Sequence, residues 1–235
     1  MEQQKELYWN KNNVKLVGKI EKELEYDNRV QRINFYTTKI AVPRKSGVVD
    51  HLPLMISEKL LKENGDLKGK SVCIYGQFRS YDRQDTVEDE RQEDERKEDE
   101  RDSHENKVKL YVFVNKIRLC KYPEVDNDNT ITIDGYLCKK PVRRKTNKGI
   151  EITQLLIAVN RKNESSDYIP CIAWDILAQR ASELKIGMHI IFEGRLQSRL
   201  YPKKFKDKDG KIVKEWRETY EMSITKLHED RKKNN

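Results

Sequence analysis

The sequence has few of the features that mark a membrane, secreted or metal-dependent protein. No run of about 18 apolar residues occurs, so no segment has the pattern of a transmembrane helix. The first residues, Met-Glu-Gln-Gln-Lys-Glu, lack the apolar region of a signal peptide. The four cysteines are scattered with no Cys-x-x-Cys pair, and the four histidines match no usual zinc spacing. This composition predicts a protein of the reducing cytoplasm, without a metal or other cofactor.

Apolar side chains are also scarce. Hydrophobic residues make up 36% of the chain and charged residues 37%. A chain of 235 residues with this composition fills two small cores more readily than one large core. We therefore expect two compact β units of about a hundred residues each.

Candidates for catalysis are poor as well. The segment 65–71, Gly-Asp-Leu-Lys-Gly-Lys-Ser, resembles a phosphate-binding loop. It is one residue too short, and it is predicted to run from a helix to a strand instead of from a strand to a helix. Nothing in the sequence indicates an enzyme.

Charge is abundant and unevenly distributed. The net charge is +8, but residues 82–106 contain 13 acidic and 5 basic side chains, which leaves +16 on the rest. The acidic segment repeats Glu-Asp-Glu-Arg with a period of five, which matches no helical period, so we interpret it as a solvated insert. The basic remainder favours an anionic partner.

The same order of predicted elements occurs twice along the chain. Gly18 and Asp50 recur as Gly135 and Asp167, both at an offset of 117 residues. Each copy is predicted to have five short strands with a helix between the third and fourth, the order of a Greek-key OB barrel. An SH3-like barrel is the structural alternative, although it usually lacks that helix.

These observations predict an all-β protein of two tandem OB-folds. The expected parts are a divergent OB-fold at residues 1–121 that carries the acidic insert at 82–106, a linker at 122–128, a second OB-fold at 129–229, and a basic tail at 230–235.

The second copy resembles a known family. The resemblance rests on Leu-Ile-Ala-Val-Asn-Arg (156–161), Asp-Tyr-Ile-Pro-Cys-Ile-Ala-Trp (167–174), Gly-Met-His-Ile-Ile-Phe-Glu-Gly-Arg-Leu-Gln-Ser-Arg (187–199) and Thr-Tyr-Glu-Met-Ser-Ile (219–224). These segments are similar to the DNA-binding domain of the bacterial single-stranded-DNA-binding protein (SSB) family, and the first copy is similar only weakly. The resemblance implies sequence-independent binding of single-stranded DNA in replication, recombination or repair, and a nucleoid-associated cytoplasmic location. Because the family assembles four OB-folds, it also implies a homodimer, with replication or recombination proteins as further partners.

The resemblance also implies the positions of the binding residues. Bases are expected to stack on Tyr168, Trp174 and Tyr201, whereas a fourth aromatic position of the family, near Asn163, has no aromatic here. Tyr168 and Ile169 must point to opposite faces of a strand, and we expect the phenol to be the exposed side chain. Cationic side chains near these aromatics are the predicted phosphate contacts: Arg143, Arg144, Lys145, Arg161, Arg195, Arg199, Lys203 and Lys204.

The first copy has lost these aromatic positions. His51, Ser57 and Arg83 stand where the second copy has Tyr168, Trp174 and Tyr201. We therefore expect the first copy to serve mainly in assembly. Its weaker candidates for nucleic-acid contact are Arg44, Lys45, Arg79 and Tyr81.

Two other functions remain open at this point. OB-folds also serve as primosome-like accessory proteins or adaptors that act mainly through protein contacts. Stacking platforms alone do not separate DNA from RNA, because that distinction needs contacts to the 2′-hydroxyl group.

Overall fold

The computed structural model describes residues 12–81, 109–120, 129–161, 165–206 and 212–229. The acidic insert, the linker and the basic tail that the sequence predicts lie outside the described residues. Neither helix in the described part of the chain is long or apolar enough to cross a membrane.

The first half forms a closed barrel. Its elements are β1 (Asn12–Ile20), β2 (Glu25–Val30), β3 (Ile33–Pro43), β4 (Val49–Ser57), α1 (Glu58–Asn64), β5 (Ser71–Tyr81) and β6 (Lys109–Leu119). Strand β1 pairs with both β3 and β5, and β4 pairs in parallel with β6, which closes the ring. The helix α1 lies between β4 and β5, which are the third and fourth strands of the barrel when the extra strand β2 is not counted, as predicted.

The second half repeats this closure. Its elements are β7 (Asn129–Leu137), β8 (Val142–Lys145), β9 (Glu151–Asn160), β10 (Ser166–Trp174), α2 (Asp175–Ser182), β11 (His189–Lys206) and β12 (Ile212–Glu229). Strand β7 pairs with β9 and β11, and β10 pairs in parallel with β12. The prediction of an all-β chain built from two tandem OB-folds is confirmed.

Glycines occupy equivalent points of close approach in the two barrels. A Cβ atom on Gly194 would lie 2.1 Å from the carbonyl oxygen of Ser223, and one on Gly76 would lie 2.3 Å from that of Phe113. Both glycines lie at β-bulges, where a barrel strand bends. These two glycines therefore mark equivalent bends of the two barrel walls.

The two barrels are joined through their first strands. β1 pairs with β7 in an antiparallel ladder from Asn12 opposite Ile133 to Leu16 opposite Asn129. All twelve strands in the described part of the chain therefore belong to one hydrogen-bonded sheet that closes into a barrel at each end.

Three features of the strands differ from the sequence prediction. β2 and β8 are additional to the five strands predicted for each copy, and Arg143–Lys145, which the sequence pattern places in the loop between the first two strands, lie in β8. The sequence pattern also places Tyr201 beyond the end of its strand, whereas β11 and β12 extend to Lys206 and back to Ile212, so Tyr201 lies within β11. A strand with no buried face shows no alternation of apolar and polar residues, which explains why these segments were missed.

Candidate nucleic-acid interface

Strand β10 presents alternate side chains to the core and to the outside. Ile169 and Ala173 are fully buried in the barrel, whereas Tyr168 is 49% exposed. Tyr168 and Trp174 lie an even number of residues apart, so they share the outer face of this strand. The expectation that the phenol of Tyr168 faces outward is confirmed.

Trp174 ends β10 and is fixed against the neighbouring strand. Its indole Nε1–H donates a hydrogen bond of 3.1 Å to the Ser223 hydroxyl on β12. The parallel pairing of β10 with β12 sets Ser223 opposite Ile172. In the first barrel the equivalent position is Ser57, whose hydroxyl instead accepts a hydrogen bond from the N–H of Leu60 at the start of α1. One position thus holds an aromatic ring in the second barrel and a helix cap in the first.

The register of β8 separates its basic side chains between two faces. Arg144 is opposite Ile152, and Ile152 is opposite Trp174, so these three residues share the outer face. Arg143 is opposite Thr153, which is buried in the barrel, so Arg143 belongs to the other face, as does Lys145 two residues on. A hydrogen bond from Arg143 holds the pKa of the Glu151 carboxyl below its usual value.

On the other side of Trp174, β11 adds a polar row. Gln197 donates a hydrogen bond of 2.7 Å to the buried carboxylate of Glu221, and the Nε of Arg199 lies 3.7 Å from the same carboxylate. Arg199 is exposed, and Tyr201 follows it two residues later, half-buried and opposite Arg217. The outer face therefore runs from Arg144 across Trp174 to Tyr201, with its buried carboxylate paired.

Two of the predicted phosphate contacts lie in the junction between the barrels. The guanidinium group of Arg161 bonds to the Asp167 carboxylate and to the carbonyl oxygen of Ser80 in the first barrel, the latter at 2.7 Å. Arg195 lies 3.4 Å from Asp50 of the first barrel, and burial lowers its pKa. Both arginines therefore border the outer face instead of projecting from it.

The structure describes the remaining candidates unequally. Lys203 and Lys204 belong to β11, and their side chains lie outside the described residues. Arg44 forms a two-pronged contact with Asp50, at 2.6 and 2.7 Å, while Lys45 is exposed in the turn that follows β3. Arg79 lies 4.1 Å above the Phe113 ring.

Tyr81 belongs to an aromatic cluster on the first barrel. Its ring centroid lies 6.2 Å from that of Tyr111, and both rings pack beside Phe35 and Met55. Phe35, Met55 and Tyr111 are each less than 10% exposed, so this cluster is largely closed to solvent. Arg83, the other first-barrel position compared above, lies outside the described residues.

In the described part of the second half, two exposed aromatic side chains were missed by the sequence analysis. Tyr136 is 44% exposed, and its ring lies 4.9 Å from that of His189. Tyr168 and Tyr136 are both opposite Ala158, so Tyr136 lies on the same face as Tyr168 and extends the aromatic face of β10. Trp216 is 67% exposed on β12. Lys214 and Arg217, which lie beside Trp216 in the sequence, are the signal that could have identified it.

Within the described residues, no group of three or more His, Cys, Asp or Glu side chains has a geometry that fits a metal ion.

Comparisons with known proteins agree with this architecture. Residues 128–223 match the model of the single-strand binding protein family. The single-stranded DNA binding protein from Thermus aquaticus has the same fold, with a TM-score of 0.66, 17% sequence identity and 95% coverage of both chains. A deletion and substitution variant of that protein gives a TM-score of 0.64 at 19% identity, with 93% of both chains covered. A search of curated proteins found no match.

Proposed function

We propose that this chain, which has two tandem OB-folds and whose residues 128–223 match the model of the single-strand binding protein family, binds single-stranded DNA without reading its sequence. The proposed site is the outer face of the second barrel between β8 and β11. The proposed setting is DNA replication, recombination or repair.

Unpaired bases stack on Tyr168, Trp174 and Tyr201 in this proposal. Every base offers a π-face, so stacking tolerates any sequence, at about 1–3 kcal/mol per base. The hydrogen bond from Trp174 to Ser223 fixes the indole before the ligand arrives, which reduces the ordering cost of binding.

Phosphate groups are contacted by the cations around these rings. Arg144 and Arg199 lie on the same outer face as Trp174 and are exposed. Each phosphate that they neutralise releases condensed counterions, so binding weakens as salt concentration rises. Arg143, Lys145, Lys203 and Lys204 add positive charge around the site. Arg161 and Arg195 act mainly by holding the two barrels together.

The observation that carries the proposal is the row Arg144, Ile152 and Trp174 on neighbouring strands, with Tyr168 exposed on the same face. A cation and aromatic rings fixed on one sheet face, with an apolar side chain between them, are suited to a phosphate and the bases attached to it.

The decisive experiment is a titration with oligo-dT, the corresponding RNA and a DNA duplex at several salt concentrations. We expect tight binding of oligo-dT that weakens steeply with salt, and much weaker binding of duplex. Equal affinity for duplex, or affinity independent of salt, would refute the proposal. Preference for the RNA would assign the same site to RNA binding.

We also propose that two chains assemble as a homodimer, which gives four OB-folds. In this proposal the first barrel serves the assembly and also supports the second barrel. Asp50 of β4 accepts a hydrogen bond from Ser198 of β11, and Ser80 of β5 donates one to Asp167 of β10. Light scattering should give a mass near twice the 28.0 kDa of one chain. A mass equal to one chain at micromolar concentration would contradict the dimer.

A further inference from the structure

β11 and β12 continue beyond the second barrel as a two-stranded ribbon. β7 pairs with β11 only from His189 to Gly194. In the described part of the chain, residues 200–206 and 212–218 pair only with each other, through seven consecutive pairs. We call these two segments the ribbon.

The ribbon exposes large apolar side chains that do not contribute to its own stability. Trp216 is 67% exposed, Ile212 67% and Leu200 63%. An isolated two-stranded hairpin is marginally stable in water. Burial of the indole would stabilise the protein by about 25 cal/mol per Å² of apolar surface, and the exposed Trp216 lacks most of this contribution. Large apolar side chains that are exposed together and surrounded by polar residues are typical of an interaction surface.

The charge of the ribbon favours an anionic occupant. The two segments of the ribbon contain five basic and two acidic residues. Lys214 lies two residues from Trp216 on the same strand face and is exposed. Glu218, also on that face, is paired with Lys39 of the first barrel and accepts a hydrogen bond of 2.8 Å from the Tyr220 hydroxyl. The carboxylate nearest to Trp216 along this face is therefore already engaged.

We propose that Trp216 is an additional base-stacking platform for single-stranded nucleic acid; this rests on the proposed function. Trp216 is opposite Pro202, and Tyr201 is opposite Arg217, so Trp216 and Tyr201 lie on opposite faces of the ribbon. A strand that stacks on Tyr201 reaches Trp216 by passing around the edge of the ribbon.

The distance between Trp174 and Trp216 makes the contribution of Trp216 to binding depend on the length of the oligonucleotide. Trp216 lies seven residues from Ser223, the residue that holds Trp174, or about 23 Å at the usual rise of a β-strand. A short oligonucleotide that stacks on the outer face between Trp174 and Tyr201 has no length left to pass around the edge of the ribbon to Trp216, whereas a long one does.

Fluorescence tests this directly. The chain has three tryptophans, so a variant with Trp9→Phe and Trp174→Phe reports Trp216 alone. We expect oligo-dT of about 35 nucleotides to quench this signal and oligo-dT of about 8 nucleotides, within the range of one OB-fold, to leave it nearly unchanged.

Affinity provides the second measurement. Trp216→Ala should weaken binding of the long oligo-dT by about 5- to 150-fold and leave the short one unaffected, while Trp216→Phe retains most of the affinity. Leu200→Ala removes exposed apolar surface from the same face without removing a ring, and it should bind like the unsubstituted protein. Trp216→Thr removes the ring while keeping strand propensity, which controls for loss of the ribbon.

The outcomes separate this inference from the proposed function. If the unsubstituted protein fails to bind oligo-dT, the proposed function itself is wrong. If it binds, but Trp216 is not quenched and Trp216→Ala binds the long oligo-dT normally, only the second platform is refuted. Quenching that depends on protein concentration and does not depend on oligo-dT would assign the ribbon to contact with a second copy of the chain.

Discussion

Asp167 of the second barrel accepts a hydrogen bond of 2.7 Å from the backbone N–H of Ser80 in the first barrel, 87 residues earlier in the chain. The reciprocal contact is present: Asp50 of the first barrel accepts a hydrogen bond of 2.9 Å from the N–H of Ser198. Each carboxylate is buried and is also paired with an arginine of its own barrel, Arg161 or Arg44. The two contacts satisfy N–H groups of β5 and β11 at points where, within the described residues, neither strand pairs with a further strand on that side.

Removing one of these carboxylates should destabilise the protein. Asp167→Ala leaves the buried N–H of Ser80 without its acceptor and removes the carboxylate that is paired with Arg161, and we expect a loss of about 2–4 kcal/mol in the free energy of unfolding. Urea denaturation measures it. Glu193→Ala, which breaks an exposed pair with Lys226, is the control and should cost much less, because exposed ion pairs contribute little to stability. Equal losses in the two variants would show that the buried carboxylate at the junction contributes no more to stability than an exposed ion pair.

The bends of the barrel wall yield a second prediction. Gly194→Ala sets a Cβ atom 2.1 Å from a backbone oxygen, so the strand itself must move. Gly47→Ala meets no atom within 4 Å, and only its φ of +85° is unfavourable. We expect Gly47→Ala to cost about 1 kcal/mol and Gly194→Ala to lower the melting temperature much further or prevent folding. A milder effect of Gly194→Ala than of Gly47→Ala would contradict the close approach seen at the bulge.

The sequence contained enough information for the barrels but not for their junction. In β10 the alternation of Ile169, Cys171 and Ala173 with Tyr168 and Trp174 follows from burial of one face, so both the strand and its exposed tyrosine were predictable. Asp50 and Asp167 were recognised as a repeated pair. Their partners were not, because a carboxylate that reaches across to another barrel leaves no periodic signal in its own strand.

The charged strands were missed for a related physical reason. β8 is exposed at every position, and the described part of the ribbon is exposed over much of its length. Their stability comes from pairing with a neighbouring strand instead of burial, so apolar periodicity does not reveal them. Arg161 and Arg195 illustrate the converse: their charge suggested phosphate contact, whereas each lies against a carboxylate in the junction.

Trp174 gives the most direct test of the binding face. Trp174→Ala should weaken oligo-dT binding by about 1–3 kcal/mol, because one stacked base loses its platform. Trp174→Phe keeps a ring but loses the hydrogen bond to Ser223, and Ser223→Ala removes the same bond while keeping the indole. Both should therefore bind more tightly than Trp174→Ala in a fluorescence-anisotropy titration. If Trp174→Ala and Tyr201→Ala both bind like the unsubstituted protein, the face is wrongly assigned.

The two faces of β8 lead to a prediction about salt. Arg144 shares the outer face with Trp174, whereas its neighbour Arg143 lies on the opposite face and is paired with Glu151. Arg144→Gln should reduce the slope of log affinity against log salt by about 0.7, the value for one phosphate contact on a single strand. Arg143→Gln removes the same charge one residue away and should leave the slope nearly unchanged. Equal changes in both slopes would mean that these arginines act through net charge alone, and that the register of β8 does not select which of them meets the phosphate.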